Sequence, residues 1–389
     1  MLGMENKKKA HKPKGAAARA ARQESPKPKA RTTGQGPSRS ASPAKVEEAV
    51  ATGPFRAGFA AIVGRPNVGK STLVNRLVGT KVSIVTSRPQ TTRNRILGIV
   101  NRPGAQVVLI DTPGMHRPST VLGRHMMDEV AQALEGINLV AVMIDASAGI
   151  TREDRFAIQR LRHFPGPVFL LLNKIDRISK PALLPLLEAC AHEKDFAEMI
   201  PIAALSGDGI EVVLRQIIAR LPEAEPLFPL DQTTDQPERF LAAEIIREKA
   251  MASTVQEVPQ AVGVIVESYE EGPRLLRISA VIQVEREGQK GILIGRGGEK
   301  LKAIGTAARM ELEALLGTKV FLSLLVKVER DWLSDPRRVR MLDWRRQLEA
   351  MAGDEDTADV GTSAEETDSD SDLEPETEPE ASEEDPDLD

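Results

Sequence analysis

The string Gly64-Arg65-Pro66-Asn67-Val68-Gly69-Lys70-Ser71 constrains this chain more than any other feature. It fits G-x4-G-K-S, directly follows the apolar run 59–63 and opens a helical pattern over 72–78. That strand–loop–helix setting is what a phosphate cradle requires. The glycines let the backbone curl until several N–H groups point inward. Those donors, with the helix N-terminus, hold the α- and β-phosphates of a nucleotide. Lys70 reaches the β/γ oxygens as a point charge, and Ser71 offers a hydroxyl to Mg2+.

The surrounding pattern supports that reading. Between residues 58 and 221, short apolar runs at 59–63, 106–110, 139–144, 168–172 and 199–203 alternate with helical stretches. Such runs predict buried parallel strands of an α/β sheet with helices on both faces. Residues 95–100 alternate more strongly and are separated from 106–110 by Pro103-Gly104, so one antiparallel edge is expected.

Two more motifs end such runs, where open α/β sheets place their ligands. Asp111-Thr112-Pro113-Gly114 follows 106–110; its carboxylate is suited to hold Mg2+ through water, and the Gly114 N–H to sense a γ-phosphate. Asn173-Lys174-Ile175-Asp176 follows 168–172 and selects the base. Guanine presents two donors, N1–H and the exocyclic amine, and Asp176 can accept both; adenine would face it with a lone pair. An unpaired carboxylate there is costly, so discrimination should be large. Asn173 either bonds the other guanine edge or braces the phosphate loop, and the Lys174 stem packs along the ring. Ala203 and Ala204 lie where a fifth, base-contacting backbone loop belongs. In Gln90-Thr91-Thr92-Arg93 a threonine hydroxyl is placed to complete the Mg2+ shell, and Thr92 is preferred. Met115 follows the DTPG string; Ras-like enzymes carry there a glutamine that positions the attacking water, which methionine cannot do.

From residue 237 to 331 the order changes to helix, strand, strand, helix, helix, strand. Ile294-Gly295-Arg296-Gly297-Gly298 reads I-G-x-x-G, between strand 275–284 and helix 299–316. In a KH domain this loop joins two helices and clamps the backbone of about four nucleotides. Arg296 sits at its tip, Lys290, Lys300, Lys302 and Arg309 surround it, and Ile294 and Ile304 are the aliphatic groove candidates. Aromatics make up only 3% of the chain, which disfavours recognition by stacking platforms. No strand–helix–strand unit accompanies this glycine cluster, so a dinucleotide fold is excluded.

These strings resemble the Era family of bacterial ribosome-associated GTPases, within the TrmE-Era-EngA-like group. GRPNVGKS, PQTTR, DTPGMH and NKID match the family pattern, and PERFLAAEIIREK over 237–249 is similar to the start of its RNA-binding domain. The resemblance spans 56–335. It implies a P-loop GTPase domain followed by a type II KH domain, GTP/GDP and Mg2+ as ligands, and Lys70, Thr92 and Gly114 as the catalytic set. Slow intrinsic turnover follows from the apolar residue at 115, and Asn67 is the residue through which relatives bind K+. The implied partners are 16S rRNA near its 3′ end and the 30S subunit during assembly and rRNA processing. No DNA binding is expected. A monomer in the cytoplasm, with a peripheral inner-membrane fraction, is implied too. Ala203 departs from the family, which carries serine there. Two alternatives are a passive RNA chaperone with GTP as a structural ligand and a tRNA-modification GTPase. The second needs a different appended domain, often with a C-terminal cysteine, whereas Cys190 is the only cysteine here.

Charge divides the chain further. Against a whole-chain charge of −5, the first 50 residues carry +8 and residues 352–389 carry −18, leaving +5 for the middle. Neither end has enough apolar residues to offset chain entropy, so both are expected as disordered tails. The front lacks the apolar core of a secretory signal and the Arg-rich pattern of a presequence, so no targeting segment is expected. One cysteine allows no internal disulfide and points to a reducing compartment. The expected divisions are a basic extension (1–54), a GTPase domain (55–224), a linker (225–236), a KH domain (237–335), a basic helix (336–351) and an acidic tail (352–389). The hypothesis for that tail is that it competes with nonspecific RNA for basic surface.

Overall fold

The computed structural model describes residues 53–254 and 258–349. The acidic tail and, except for Gly53 and Pro54, the basic extension lie outside the described residues. The first half alternates strands and helices: β1 (Arg56–Val63), α1 (Lys70–Val78), β2 (Ile96–Arg102), β3 (Ala105–Asp111), α2 (Val121–Ala133), β4 (Leu139–Asp145), α3 (Arg152–Arg160), β5 (Val168–Asn173), α4 (Lys180–Ala191), β6 (Glu198–Pro201) and α5 (Ile210–Arg220). The strands form one sheet in the order β2-β3-β1-β4-β5-β6. Only β2 runs antiparallel, joined to β3 across Pro103-Gly104, with Gly104 at φ 74° as the second central residue of such a turn needs. The period of two sends alternate residues to opposite faces. Ala60 and Ile62 enter the core shared with α1 and α5, whereas Ala61 and Val63 enter the core shared with α2 and α3. β6 stops sooner than predicted because Ala203 turns out to bond the Asp208 carbonyl.

The stretch expected as a linker covers the edge of that sheet. The buried Gln106 side chain accepts from the backbone N–H of Leu227 and Phe228, at 2.7 and 2.9 Å. Ile99 N–H donates to the Thr233 carbonyl at 2.8 Å, and the Thr234 hydroxyl donates to the Leu97 carbonyl at 2.8 Å. These bonds pair backbone groups of β2 that a bare edge strand would leave open.

The second half comprises α6 (Glu238–Ala252), α7 (Val258–Ala261), β7 (Gly263–Glu271), β8 (Leu276–Val284), α8 (Glu287–Ile294), α9 (Glu299–Leu316) and β9 (Val320–Val328). The expected order holds, with the single turn α7 added. The sheet order is β7-β8-β9; β7 pairs antiparallel with β8, and β8 parallel with β9. Parallel neighbours require a crossover, which α8 and α9 supply. One core joins α6, α9 and the inner sheet face. The basic stretch predicted as one helix is two: α10 (Pro336–Arg340), then a helical turn at 344–349. The helix restarts because the Asp343 carboxylate accepts from Arg345 N–H at 3.1 Å, as an N-cap does. Among the described residues no helix is long and apolar enough to cross a membrane.

Candidate functional site

A cleft of about 420 Å3 opens at the carboxyl ends of β1, β3 and β5. The phosphate loop, residues 84–87 and 90–92, Gly114 and the NKID and Ala204 loops line it, so the sheet topology brings every predicted nucleotide motif to one place. Lys70 donates to the carbonyls of Gly64 and Arg65, at 3.2 Å each. Burial pushes its ammonium down to about 8, opposed by the Asp111 charge and assisted by Arg65. Val68 is buried in the core, and Gly69, at φ 108°, turns the chain into α1. Met115 N–H donates to the Gly64 carbonyl at 2.9 Å, tying the DTPG string to the phosphate loop. A Cβ on Gly114 would lie 2.6 Å from Pro66 Cγ, so only glycine permits this approach. The Thr112 hydroxyl is buried and donates to the Ile62 carbonyl at 2.8 Å, and Pro113 follows in irregular backbone. The Met115 side chain is buried in the core behind the sheet.

The base loop is braced from below. Asn173 donates to the Val68 carbonyl at 2.7 Å and accepts from Ala204 N–H at 2.9 Å. Of the two roles open to Asn173, the geometry therefore selects bracing. Lys174, at φ 66°, donates to the Asn67 carbonyl at 2.9 Å and to Asp145 at 2.7 Å, which lays its stem across the cleft floor. Ile175 N–H reaches the Ile202 carbonyl at 3.3 Å. Asp176 is exposed at the cleft mouth. Ala203 carries no hydroxyl, and its N–H and the Ala204 N–H are both already bonded.

Three oxygens gather beside Lys70. Ser71 Oγ donates to Asp111 Oδ2 at 2.7 Å, and Thr92 Oγ1 lies 3.0 Å from Ser71 Oγ and 3.4 Å from Asp111 Oδ2. Asp111 is 0% exposed; burial raises its pKa, opposed by the Lys70 charge and hydrogen bonds from hydroxyls. Its Oδ1 is buried with no partner among the described residues. An orphaned carboxylate oxygen beside two hydroxyls is a hard, all-oxygen donor set. It fits Mg2+, which takes few protein ligands and completes its shell with water and phosphate. The Thr91 hydroxyl is held inside its own turn, at 2.7 Å from Thr86 Oγ1 and from the Arg88 carbonyl. The structure thus brings Thr92, not Thr91, beside Ser71 and Asp111.

Sequence reasoning missed two carboxylates beneath the phosphate loop. Arg65 pairs with Asp154 at 3.3 Å and lies 3.9 Å from Asp145. The signals were present: Asp145 ends β4 as Asp111 and Asn173 end their strands, and Thr151 with Asp154 forms a capping box.

In the second half, Gly295–Gly298 joins α8 to α9 as predicted, with Gly297 at φ 59° and Gly298 at φ 82°, left-handed values that glycine adopts freely. Arg296 and Lys302 are exposed, Lys290 and Lys300 half-buried, and Ile294 packs on the core margin. One expectation is corrected. Ile304 is buried within the core and cannot line a groove. Arg309 pairs with Glu313 at 3.0 Å along α9. Of the C-terminal arginines, Arg338 pairs with Glu329 at 2.6 Å and Arg345 with Asp235 at 2.9 Å; Arg337, Arg340 and Arg346 remain exposed.

The family description "50S ribosome-binding GTPase" matches residues 59–174, and that of the KH domain matches 257–333. GTPase Era of Syntrophus aciditrophicus is 47% identical over 288 residues, 74% of this chain and 94% of that one. The chain belongs to the Era family of GTPases. GTPase Era of Geotalea uraniireducens is likewise 47% identical, over 74% of this chain and 97% of its own. Aquifex aeolicus Era bound to GDP.AlF4- superposes with a TM-score of 0.73 at 44% identity, covering 75% of this chain and 99% of that one. An Era structure with MgGDPNP and nucleotides 1506–1542 of 16S ribosomal RNA matches with the same score, identity and coverage. The Era-family fold, a P-loop GTPase domain followed by a KH domain, is the fold seen here, and the chain hydrolyses GTP to GDP and phosphate.

Proposed function

We propose that this GTPase is a switch whose nucleotide state is read by its KH half, which binds 16S rRNA near the 3′ end during 30S assembly and rRNA processing. The observation that carries the reading is the position of Thr92. Its hydroxyl stands at the Ser71–Asp111 metal set, while its neighbours Thr91 and Arg93 are hydrogen-bonded to Arg247 and Gln260 of the second half. A segment gripped from both sides transmits the loss of a γ-phosphate as movement. Bound Mg2+ would neutralise phosphate charge, held by Ser71, Thr92 and, through water, Asp111. Lys70 balances charge on the β/γ oxygens, and the Gly114 N–H donates to the γ-phosphate. Water attacks the γ-phosphorus, the bond to the bridging oxygen breaks, and GDP keeps that oxygen. No glutamine orients that water, and Met115 is buried away from the cleft, so unaided turnover is slow. Asn67, whose amide donates to the Ser87 carbonyl at 3.1 Å, is the side chain that would hold an accelerating K+. In the KH half, Gly295, Gly297 and Gly298 admit the RNA backbone closely, while Arg296, Lys290, Lys300 and Lys302 face its phosphates. The site of action is the cytoplasm, where the free, buried Cys190 stays reduced.

The test is GTP hydrolysis in KCl and in NaCl, with and without a short RNA ending in the small-subunit 3′ sequence. Stimulation by RNA that is lost on Arg296→Glu supports the switch. Turnover indifferent to RNA under both salts overturns it.

A further inference from the structure

The loop 86–95 lies against the second half along its length. Arg88 donates to the Thr254 carbonyl at 2.8 Å, Arg93 to the Gln260 carbonyl at 2.8 Å, and Asn94 to the Leu342 carbonyl at 2.7 Å. One further contact falls beside the metal set: Arg247 of α6 donates through Nη2 to the carbonyl of Thr91. Arg247 is 2% exposed and is itself fixed by Glu244, one turn earlier on α6, through Nε–Oε1 at 2.7 Å and Nη2–Oε2 at 2.6 Å. A planar guanidinium held by a bidentate carboxylate along its Nε/Nη2 edge presents the second Nη2 N–H in a set direction. Among the described residues the Thr92 hydroxyl contacts Ser71 and Asp111, and the Thr91 carbonyl is held from the second half by Arg247.

We propose that Arg247, braced by Glu244, is a positioning residue of the GTPase site: it holds the Thr91 carbonyl so that the Thr92 hydroxyl reaches Mg2+ only when α6 is docked. The inference deepens the reading of Thr92 as a metal ligand and rests on it. It assigns to the RNA-binding half a direct part in GTP recognition. A hydrogen bond from a charged donor is strong enough that its loss weakens binding of the state that needs it by about tenfold or more. GDP has no γ-phosphate for Thr92 to serve, so its affinity does not depend on this grip.

Simple interdomain adhesion is the competing role, and the network beside it provides the control. Lys81 of the nucleotide half pairs with Glu248 and Glu311, and Lys249 joins the same two carboxylates, without touching Thr91 or Thr92. The experiment uses the full chain with Arg247→Gln, Arg247→Lys, Glu244→Gln and Lys81→Met, titrating a non-hydrolysable GTP analogue and GDP across Mg2+ concentrations. Arg247→Gln is expected to weaken Mg2+-dependent analogue binding about tenfold while GDP affinity stays within about twofold. Arg247→Lys should recover part of the loss, and Lys81→Met should lower the melting temperature without changing the analogue-to-GDP ratio. In a Thr92→Ala background Arg247→Gln should add nothing, since coupled residues do not act additively. Equal weakening of both nucleotides, or a full additional loss in that background, overturns the proposal. If Arg247→Gln fails to fold, Glu244→Gln decides, because it keeps the guanidinium and removes only its brace; an unchanged analogue-to-GDP ratio there is equally fatal. A wild-type chain whose analogue binding ignores both Mg2+ and Thr92→Ala would instead sink the reading of Thr92 itself.

Discussion

Asn173 donates to the carbonyl of Val68 at 2.7 Å, across 105 positions of sequence, and so fastens the base loop to the phosphate loop. The same carboxamide accepts from Ala204 N–H, so both of its ends are committed in a buried site. Asn173→Ala leaves a buried acceptor and a buried donor without partners, a loss of about 1–3 kcal/mol for each such group. The expected outcome is a lower urea midpoint and weakened binding of GTP and GDP alike; unfolding curves and nucleotide titrations check both.

Thr92 and its neighbour should separate cleanly. Thr92→Ala removes a hydroxyl from the metal set, and about a tenfold loss of Mg2+-dependent GTP affinity with little change for GDP is expected. Thr91→Ala removes only the two hydrogen bonds within its own turn and should leave the nucleotide ratio unchanged. Competition titrations with the two nucleotides distinguish the pair.

Lys70 gives a pH signature. Burial holds its ammonium near 8 in the protein alone. Phosphate beside it favours the charged form, so its pKa rises in the complex. Above about 8 binding therefore takes up a proton, and affinity falls as pH rises through that value, by at most about tenfold per pH unit. Below about 7 the lysine is charged in both states and its contribution is flat. Titrations from pH 6.5 to 9.5, spanning the lysine value of about 8, should show the bend, and Lys70→Met should remove it along with most of the affinity.

Asp176 decides the base. Asp176→Asn offers guanine a donor where its exocyclic amine also donates, and a loss of about a hundredfold in GTP affinity is expected. Xanthine carries a carbonyl at that position, so xanthosine triphosphate should gain. Parallel binding curves for the two nucleotides settle the sign.

Arg296 should report on RNA alone. Arg296→Glu is expected to weaken binding of the 3′-end RNA and to flatten its salt dependence by about one counterion, with GTP affinity unchanged. Filter binding over a KCl series measures the slope.

The legible part of the molecule was its local part. Each nucleotide motif ended a run of apolar residues, and the period and length of those runs located all six strands of the first sheet, β6 with its end misplaced. The GxxG loop was readable for the same reason, because left-handed backbone between two helices calls for glycine. What could not be read were contacts between groups far apart in sequence. Arg247 meets Thr91 across 156 positions, and nothing in the pattern of α6 separates that arginine from a solvated one. Ile304 looked like a groove residue and proved to be core, because an aliphatic side chain beside a glycine loop has the same signature in either place. The break in the basic helix was visible in principle, since Asp343 is a capping residue, but the run of arginines around it concealed the stop.

The strap over β2 makes the connection between the halves part of the first half's own integrity. Cut at Leu221, the nucleotide half would present β2 (Ile96–Arg102) as an open template on which a second chain could pair. The same half carried through to Gln236 would keep its border sealed. The natural seam of this protein, the place where it can be divided without inviting self-association, therefore lies just before α6 and not where the nucleotide fold ends.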